Sequence, residues 1–209
     1  MSQAAEPPPL FSSEIERAVA VIRAGGVVAF PTETYYGLAA DPFNREAVSR
    51  VFALKRRPPD KPVLTLIGAE SQLPQLAASV PPIYRPLISA FWPGPLTLVF
   101  PARPDVPVIL TGYTGTVGIR ISSHPVARQL LAAAGQPLTA TSANFSGQPA
   151  AVTAQEVVDQ LGPDVDWIID GGTTPGGRGS TIVGLEEGEV ALLRAGAIAF
   201  EEILDRLRP

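Results

Sequence analysis

A chain of 209 residues with 45% hydrophobic content carries enough apolar side chain to bury one substantial core, and one compact domain is expected. It has no cysteine and a single histidine, His124, which excludes disulfides, thiolate nucleophiles and metal centres built on cysteines or several imidazoles. A formal net charge of −4 and a pI of about 5.1 argue against broad nucleic-acid binding, but leave room for a local basic cavity that takes small polyanions.

The first residues, Met1-Ser2-Gln3-Ala4-Ala5-Glu6-Pro7-Pro8-Pro9, lack the charged and apolar regions of a signal peptide. Residues 1–12 are therefore expected to form a disordered tail, and 13–209 one folded domain. No apolar run reaches the length needed to span a bilayer, so a soluble cytoplasmic protein without membrane partners is expected. Ser13-Glu14-Ile15-Glu16 is a capping-box pattern opening a helix whose apolar stripe is Ala18, Val19 and Ile22, and Gly25-Gly26 ends it. Residues 27–30 read as a short buried strand. Pro31-Thr32-Glu33-Thr34-Tyr35-Tyr36-Gly37-Leu38 reads as a polar break after it, the kind of place where α/β proteins put ligands.

Asn44 can cap a helix with Ala47, Val48, Val51 and Phe52 on its apolar face, and Pro58-Pro59 cannot continue it. Strands are expected over 63–67, 96–100, 117–121, 138–140, 167–169, 181–185 and 190–193, with Glu186-Glu187-Gly188 as a hairpin turn between the last two. Residues 70–91 read as two helical pieces divided by Pro81-Pro82, and 101–115 as a long connection that is mobile in part. Pro125 opens a helix that Gly135 stops, Thr153-Ala154-Gln155-Glu156 opens another, and a final one runs through Phe200, Ile203, Leu204 and Leu207. The interleaving implies an α/β or α+β fold on a mixed sheet.

The most unusual stretch is Leu54-Lys55-Arg56-Arg57-Pro58-Pro59-Asp60-Lys61-Pro62-Val63, with four cations in seven residues. Lys55 and Lys61 are the only lysines among sixteen basic residues. Cations at a helix C-terminus complement the dipole, but that explains one or two, less easily four held by three prolines. A polyanion site is the sharper reading. Lys55 and Arg57 are expected on or beyond the helix end, where replacement would hardly disturb folding. Other strands end in polar loops carrying Thr32 and Thr34, Arg120, Ser142 with Asn144, Ser180 and Arg194. The run Gly171-Gly172-Thr173-Thr174-Pro175-Gly176-Gly177-Arg178-Gly179-Ser180 is no P-loop, because it lacks a Gly-Lys-Ser/Thr ending and opens onto a strand. What remains is catalysis by positioning and charge neutralisation, the style of phosphoryl and nucleotidyl transfer. The residues alone lead to a nucleotide- or polyanion-binding α/β domain.

Several segments together resemble the YrdC-type threonylcarbamoyl-adenylate synthases. They are Phe30-Pro31-Thr32-Glu33-Thr34-Tyr35-Tyr36-Gly37-Leu38, Leu54-Lys55-Arg56-Arg57-Pro58, Trp92-Pro93-Gly94-Pro95-Leu96-Thr97, Val117-Gly118-Ile119-Arg120, Thr141-Ser142-Ala143-Asn144-Phe145-Ser146-Gly147, Ser180-Thr181-Ile182-Val183 and Arg194-Ala195-Gly196. The resemblance implies a twisted α/β fold around a large basic cavity, with residues 13–209 as its catalytic domain. It implies a nucleotidyltransferase that makes threonylcarbamoyl-adenylate and pyrophosphate from L-threonine, bicarbonate and ATP with Mg²⁺. A downstream tRNA threonylcarbamoyl transferase machinery would use the product, and direct tRNA binding is open. By the same resemblance Lys55 and Arg57 are catalytic and hold ATP with Thr116, Ser142, Asn144 and Arg194. Thr34, Arg120 and Ser180 fall on the threonine side, and no residue is assigned to a protein-held metal.

Three departures stand out. Longer members carry a histidine near the position of Leu66, many relatives have aspartate where this chain has Gly184, and the chain stops at Pro209, as a short single-domain type would. Alternatives are a paralogue of the same fold with another small substrate, or an RNA-binding module.

Overall fold

The computed structural model describes residues 12–208, along which helices and strands interleave. In chain order these are α1 (Ser12–Arg23), β1 (Val28–Pro31), β2 (Tyr36–Ala39), α2 (Arg45–Lys55), β3 (Thr65–Leu66), α3 (Leu73–Leu76), α4 (Tyr84–Phe91) and β4 (Leu96–Pro101). Then come β5 (Thr116–Arg120), α5 (Pro125–Ala134), β6 (Leu138–Thr139), β7 (Thr141–Ser142), α6 (Ala154–Leu161), β8 (Trp167–Ile168), β9 (Thr181–Glu186), β10 (Glu189–Arg194) and α7 (Phe200–Asp205). Apart from Ser12, which opens α1, the expected tail lies outside the described residues. Among them, no helix is long and apolar enough to cross a membrane.

The expected mixed α/β class holds, but the strands divide between two sheets. One has the order β7-β2-β1-β8, the other β10-β9-β4-β5-β3-β6, and each contains parallel and antiparallel pairs. The first sheet is covered on both faces, which is why 27–30 is apolar at every position. Val28 and Phe30 pack with α1 and α5, while Val27 and Ala29 pack with α2 and α6. The larger sheet packs Leu98, Phe100, Val117, Ile119 and Val183 against α3, α4 and α7.

The sheets meet where the chain passes from β6 to β7 through Ala140. Thr139 joins the seam: its hydroxyl donates to Leu38 O at 2.9 Å and accepts from Ala40 N at 2.8 Å. Ala140 N donates to Leu64 O at 2.8 Å. Polar loops from both sheets therefore open onto one crevice.

Local signals worked where capping chemistry is explicit. Asn44 Oδ1 accepts from the amides of Glu46 and Ala47 at the start of α2. The Thr153 hydroxyl accepts from Glu156 N, while Glu156 Oε2 accepts from Val152 N, one residue ahead of the cap. One reading changes. Residues 36–38 of the expected polar break belong to strand β2, which is fully buried and paired with β1. The connection 101–115 is anchored to the core by Val106, Leu110 and Thr111, at 4%, 0% and 3% exposure. Val63 N donates to Leu110 O at 2.9 Å. This holds the connection against the cation-rich turn, and Gly112 (φ 57) lies so close that a Cβ would sit 2.7 Å from Asp60 O.

Candidate active site

The crevice holds a cavity of about 330 Å³. Arg57, Arg120, Arg178 and Arg194 line it beside the hydroxyl residues Thr32, Thr34, Thr141, Ser142 and Ser180. None of the lining residues is acidic. A polar chamber with four guanidinium groups is built for an anion.

Three of these arginines are braced, each differently. Arg57 lies just past α2, and its Nε and Nη2 donate to Lys61 O at 3.1 Å and Pro62 O at 2.7 Å. The proline-bound turn thus fixes the guanidinium that it delivers. Arg194 ends β10 and donates from Nη2 to Ser180 O at 2.8 Å and Ser180 Oγ at 3.1 Å. Arg120, at the end of β5, pairs with Glu33 at 2.6 Å. Burial disfavours the charged form of all three; Arg194 adds to this at Arg57 and Arg120 adds to it at Arg194, while Glu33 relieves Arg120. An anion in the chamber would relieve the repulsion that remains.

Lys55 requires a correction. It was expected at an exposed helix end, yet it is 1% exposed and does not line the cavity. Its ammonium donates to Ser142 O, to Asn144 O at 2.9 Å and to Asn144 Oδ1 at 3.1 Å, which uses all three of its hydrogens. Burial, then the Arg57 cation, pull its pKa down to about 7. The three carbonyl oxygens oppose that by solvating the ammonium. Asn144 is likewise enclosed: Oδ1 also accepts from the Ser142 hydroxyl at 2.6 Å, and Nδ2 donates to Phe145 O and Gln148 O. Lys55 and Asn144 together hold the turn that carries Ser142 into the cavity. The neighbouring Arg56 points elsewhere, its guanidinium 4.4 Å from the centre of the Phe145 ring.

Thr34 and Thr32 share a 3.1 Å contact between hydroxyls, and the Ser180 hydroxyl lies 2.8 Å from that of Thr97. Thr116 is not brought to this cavity. It stands at the other end of β5 from Arg120, roughly 13 Å of extended chain away, with its hydroxyl 2.8 Å from that of Thr114.

Neither of two departures read from the sequence, Leu66 and Gly184, lines the cavity. Leu66 is in the core with α1 and α5, and it is Leu64, two residues earlier, that reaches the cavity lining. Gly184 lies inside β9 opposite Ala191, and a Cβ there would meet Leu193 Cδ1 at 2.8 Å.

Sequence reasoning passed over Arg178, Tyr35 and the pairing role of Glu33. The glycine-rich run bends over the cavity because two adjacent phenols hold it. The Tyr35 hydroxyl donates to Gly177 O at 2.6 Å and the Tyr36 hydroxyl to Gly172 O at 2.7 Å, and Gly176 N returns to Thr34 O at 2.8 Å. The available signal was the lone arginine in that run. Among the described residues, no group of three or more His, Cys, Asp or Glu side chains forms a metal-binding cluster.

Known proteins share this architecture. The family described as “Telomere recombination”, Sua5/YciO/YrdC, matches residues 20–196. A threonylcarbamoyl-AMP synthase of Pyrococcus abyssi is 42% identical over 190 residues, covering 91% of this chain and 56% of its own. One from Vibrio cholerae is 43% identical over 162 residues, covering 77% of this chain and 86% of its own. The crystal structure of P. abyssi Sua5 complexed with L-threonine superposes with a TM-score of 0.89 at 41% identity, over 93% of this chain and 57% of that one. The chain therefore spans about half the length of the Pyrococcus relative and most of the Vibrio one.

Proposed function

The chain belongs to the Sua5/YciO/YrdC family, and on that premise we propose that it is a threonylcarbamoyl-AMP synthase. It would combine L-threonine, bicarbonate and ATP into threonylcarbamoyl-adenylate and pyrophosphate. The observation that carries this reading is the cavity itself: four arginines and a ring of hydroxyls, with one arginine set apart by a carboxylate partner.

The bond count divides the reaction in two. The threonine amine bonds to the bicarbonate carbon and water leaves, giving a carbamate. A carbamate oxygen then bonds to the α-phosphorus of ATP, and the bond to the β-phosphate oxygen breaks, releasing pyrophosphate. Charge grows on the departing group, so fixed guanidinium groups favour the transition state over the ground state. Arg57 and Arg194 serve as those groups, with the Ser142 hydroxyl turning from Asn144 Oδ1 to donate to a phosphate oxygen. Lys55 and Asn144 act behind Ser142 by fixing its turn. Arg120 takes the threonine carboxylate in a two-pronged pair, flanked by Thr34 and Ser180. Mg²⁺ would arrive on the nucleotide, held by phosphate oxygens and water. The product is a mixed anhydride, so its consumer is an acyl-transfer machinery that delivers the threonylcarbamoyl group to a tRNA adenosine.

Labelled bicarbonate tests the reading. The enzyme with ATP, Mg²⁺ and L-threonine should yield an adenylate carrying the labelled carbon, seen by mass spectrometry. An adenylate of threonine without that carbon, or none, contradicts it.

A further inference from the structure

Glu33 sits in the turn between β1 and β2 and does not itself line the cavity. Both of its oxygens are engaged. Oε1 accepts from Arg120 Nη1 at 2.6 Å, and Oε2 accepts from the Ser122 hydroxyl. Ser122 is 0% exposed, and its Oγ also accepts from His124 N at 3.2 Å. The carboxylate is therefore clamped between the strand end that carries Arg120 and the turn that follows.

The other braced cavity arginines lack such a partner. Arg57 and Arg194 lean on neutral oxygens, and among the described residues Arg120 is the cavity arginine held in an ion pair. The difference has a chemical meaning. A guanidinium braced by carbonyls keeps its charge uncompensated, as suits phosphates. One tied at Nη1 to a carboxylate has little net charge to offer but a fixed direction for its remaining N–H groups. Such a group recognises a planar carboxylate by shape more than by field.

We propose that Glu33, clamped by Ser122, is a positioning residue for amino-acid recognition, holding the Arg120 fork in the orientation that receives the substrate α-carboxylate. The proposal rests on the amino-acid reading of this site. It goes further in assigning the discrimination between carboxylate and phosphate to Glu33. Without Glu33, Arg120 would be repelled by Arg194 and free to turn toward phosphate.

Calorimetric binding of L-threonine, L-threoninol (which keeps amine and side chain but has no carboxylate) and ATP tests this on the full chain, with melting curves alongside. Glu33→Gln should weaken L-threonine about tenfold and reduce the preference for L-threonine over L-threoninol by the same factor, with ATP affinity unchanged. Ser122→Ala, which keeps the ion pair but releases one oxygen of Glu33, should cost about two- to threefold, and Glu33→Asp should recover part of the loss. If wild type binds L-threonine and both Glu33→Gln and Ser122→Ala bind it equally well, or if ATP affinity falls in step, the positioning role is wrong. Should Glu33→Gln not fold, unchanged L-threonine affinity in Ser122→Ala overturns the proposal by itself. Wild type that fails to bind L-threonine at all defeats the amino-acid reading and the proposal with it.

Discussion

Lys55→Met separates two roles that the sequence runs together. Methionine keeps an unbranched apolar stem of similar length and removes the ammonium. Ser142 O and Asn144 O then lose their Lys55 donor, while Asn144 Oδ1 keeps its bond from the Ser142 hydroxyl at 2.6 Å. Ser142 O still accepts from Asn144 N at 3.1 Å, so Asn144 O alone is left without a partner, at a cost of about 1–3 kcal/mol. Relief of the buried ammonium's desolvation returns part of that, leaving a net loss of about 1–2 kcal/mol. For a chain of 209 residues this corresponds to a melting temperature lower by about 2–8 °C. The turn carrying Ser142 loosens at the same time, so turnover falls as well. Thermal unfolding followed by circular dichroism at pH 7, with Arg57→Ala as the companion, is the assay. If Lys55→Met melts within about 1 °C of wild type yet loses its activity, Lys55 acts on substrate and not through the turn.

Other outcomes follow from the same contacts. Arg57→Ala should melt close to wild type yet lose roughly thirty- to several-hundred-fold in turnover, while Arg56→Ala, stacked on Phe145, stays within a few-fold, as initial rates will show. Burial and Arg57 hold Lys55 near pH 7 in the fold against 10.5 ordinarily, so between those values the unfolded chain binds more protons. Wild-type stability should therefore gain from this group as pH rises from 7 to 10.5, and Lys55→Met should lack that gain in urea titrations. Gly184→Asp should cost less than about 1 kcal/mol, because the exposed Leu193 side chain that its Cβ meets can turn aside, and should leave the KM for threonine unchanged.

Much of the frame was legible because local chemistry dictates it. Glu187 and Gly188 take φ of 53° and 90°, the left-handed pair that a tight hairpin demands, between the strands expected there. His124, Pro125 and Gly135 bracket α5 as a cap, a first-turn proline and a left-handed stop. What was hidden depends on long-range pairing. β2 could not be separated from its polar approach, since Tyr36 looks like a loop phenol until its ring is buried and its hydroxyl reaches Gly172 O. One sheet was expected where two exist, because the switch at Ala140 has no sequence signature. Thr116 and Arg120 share a strand, but only the strand's direction reveals that they mark opposite ends. Lys55 misled most, since lysine is almost never fully buried and its partners lie eighty-seven or more residues away.

Pyrophosphate release under omission is the most direct measurement. Purified enzyme is given ATP, Mg²⁺, bicarbonate and L-threonine, and each is left out in turn. Pyrophosphate should form only in the complete mixture and in step with threonylcarbamoyl-adenylate. ADP as product, or ATP turnover indifferent to threonine or bicarbonate, would contradict the assignment of this cavity.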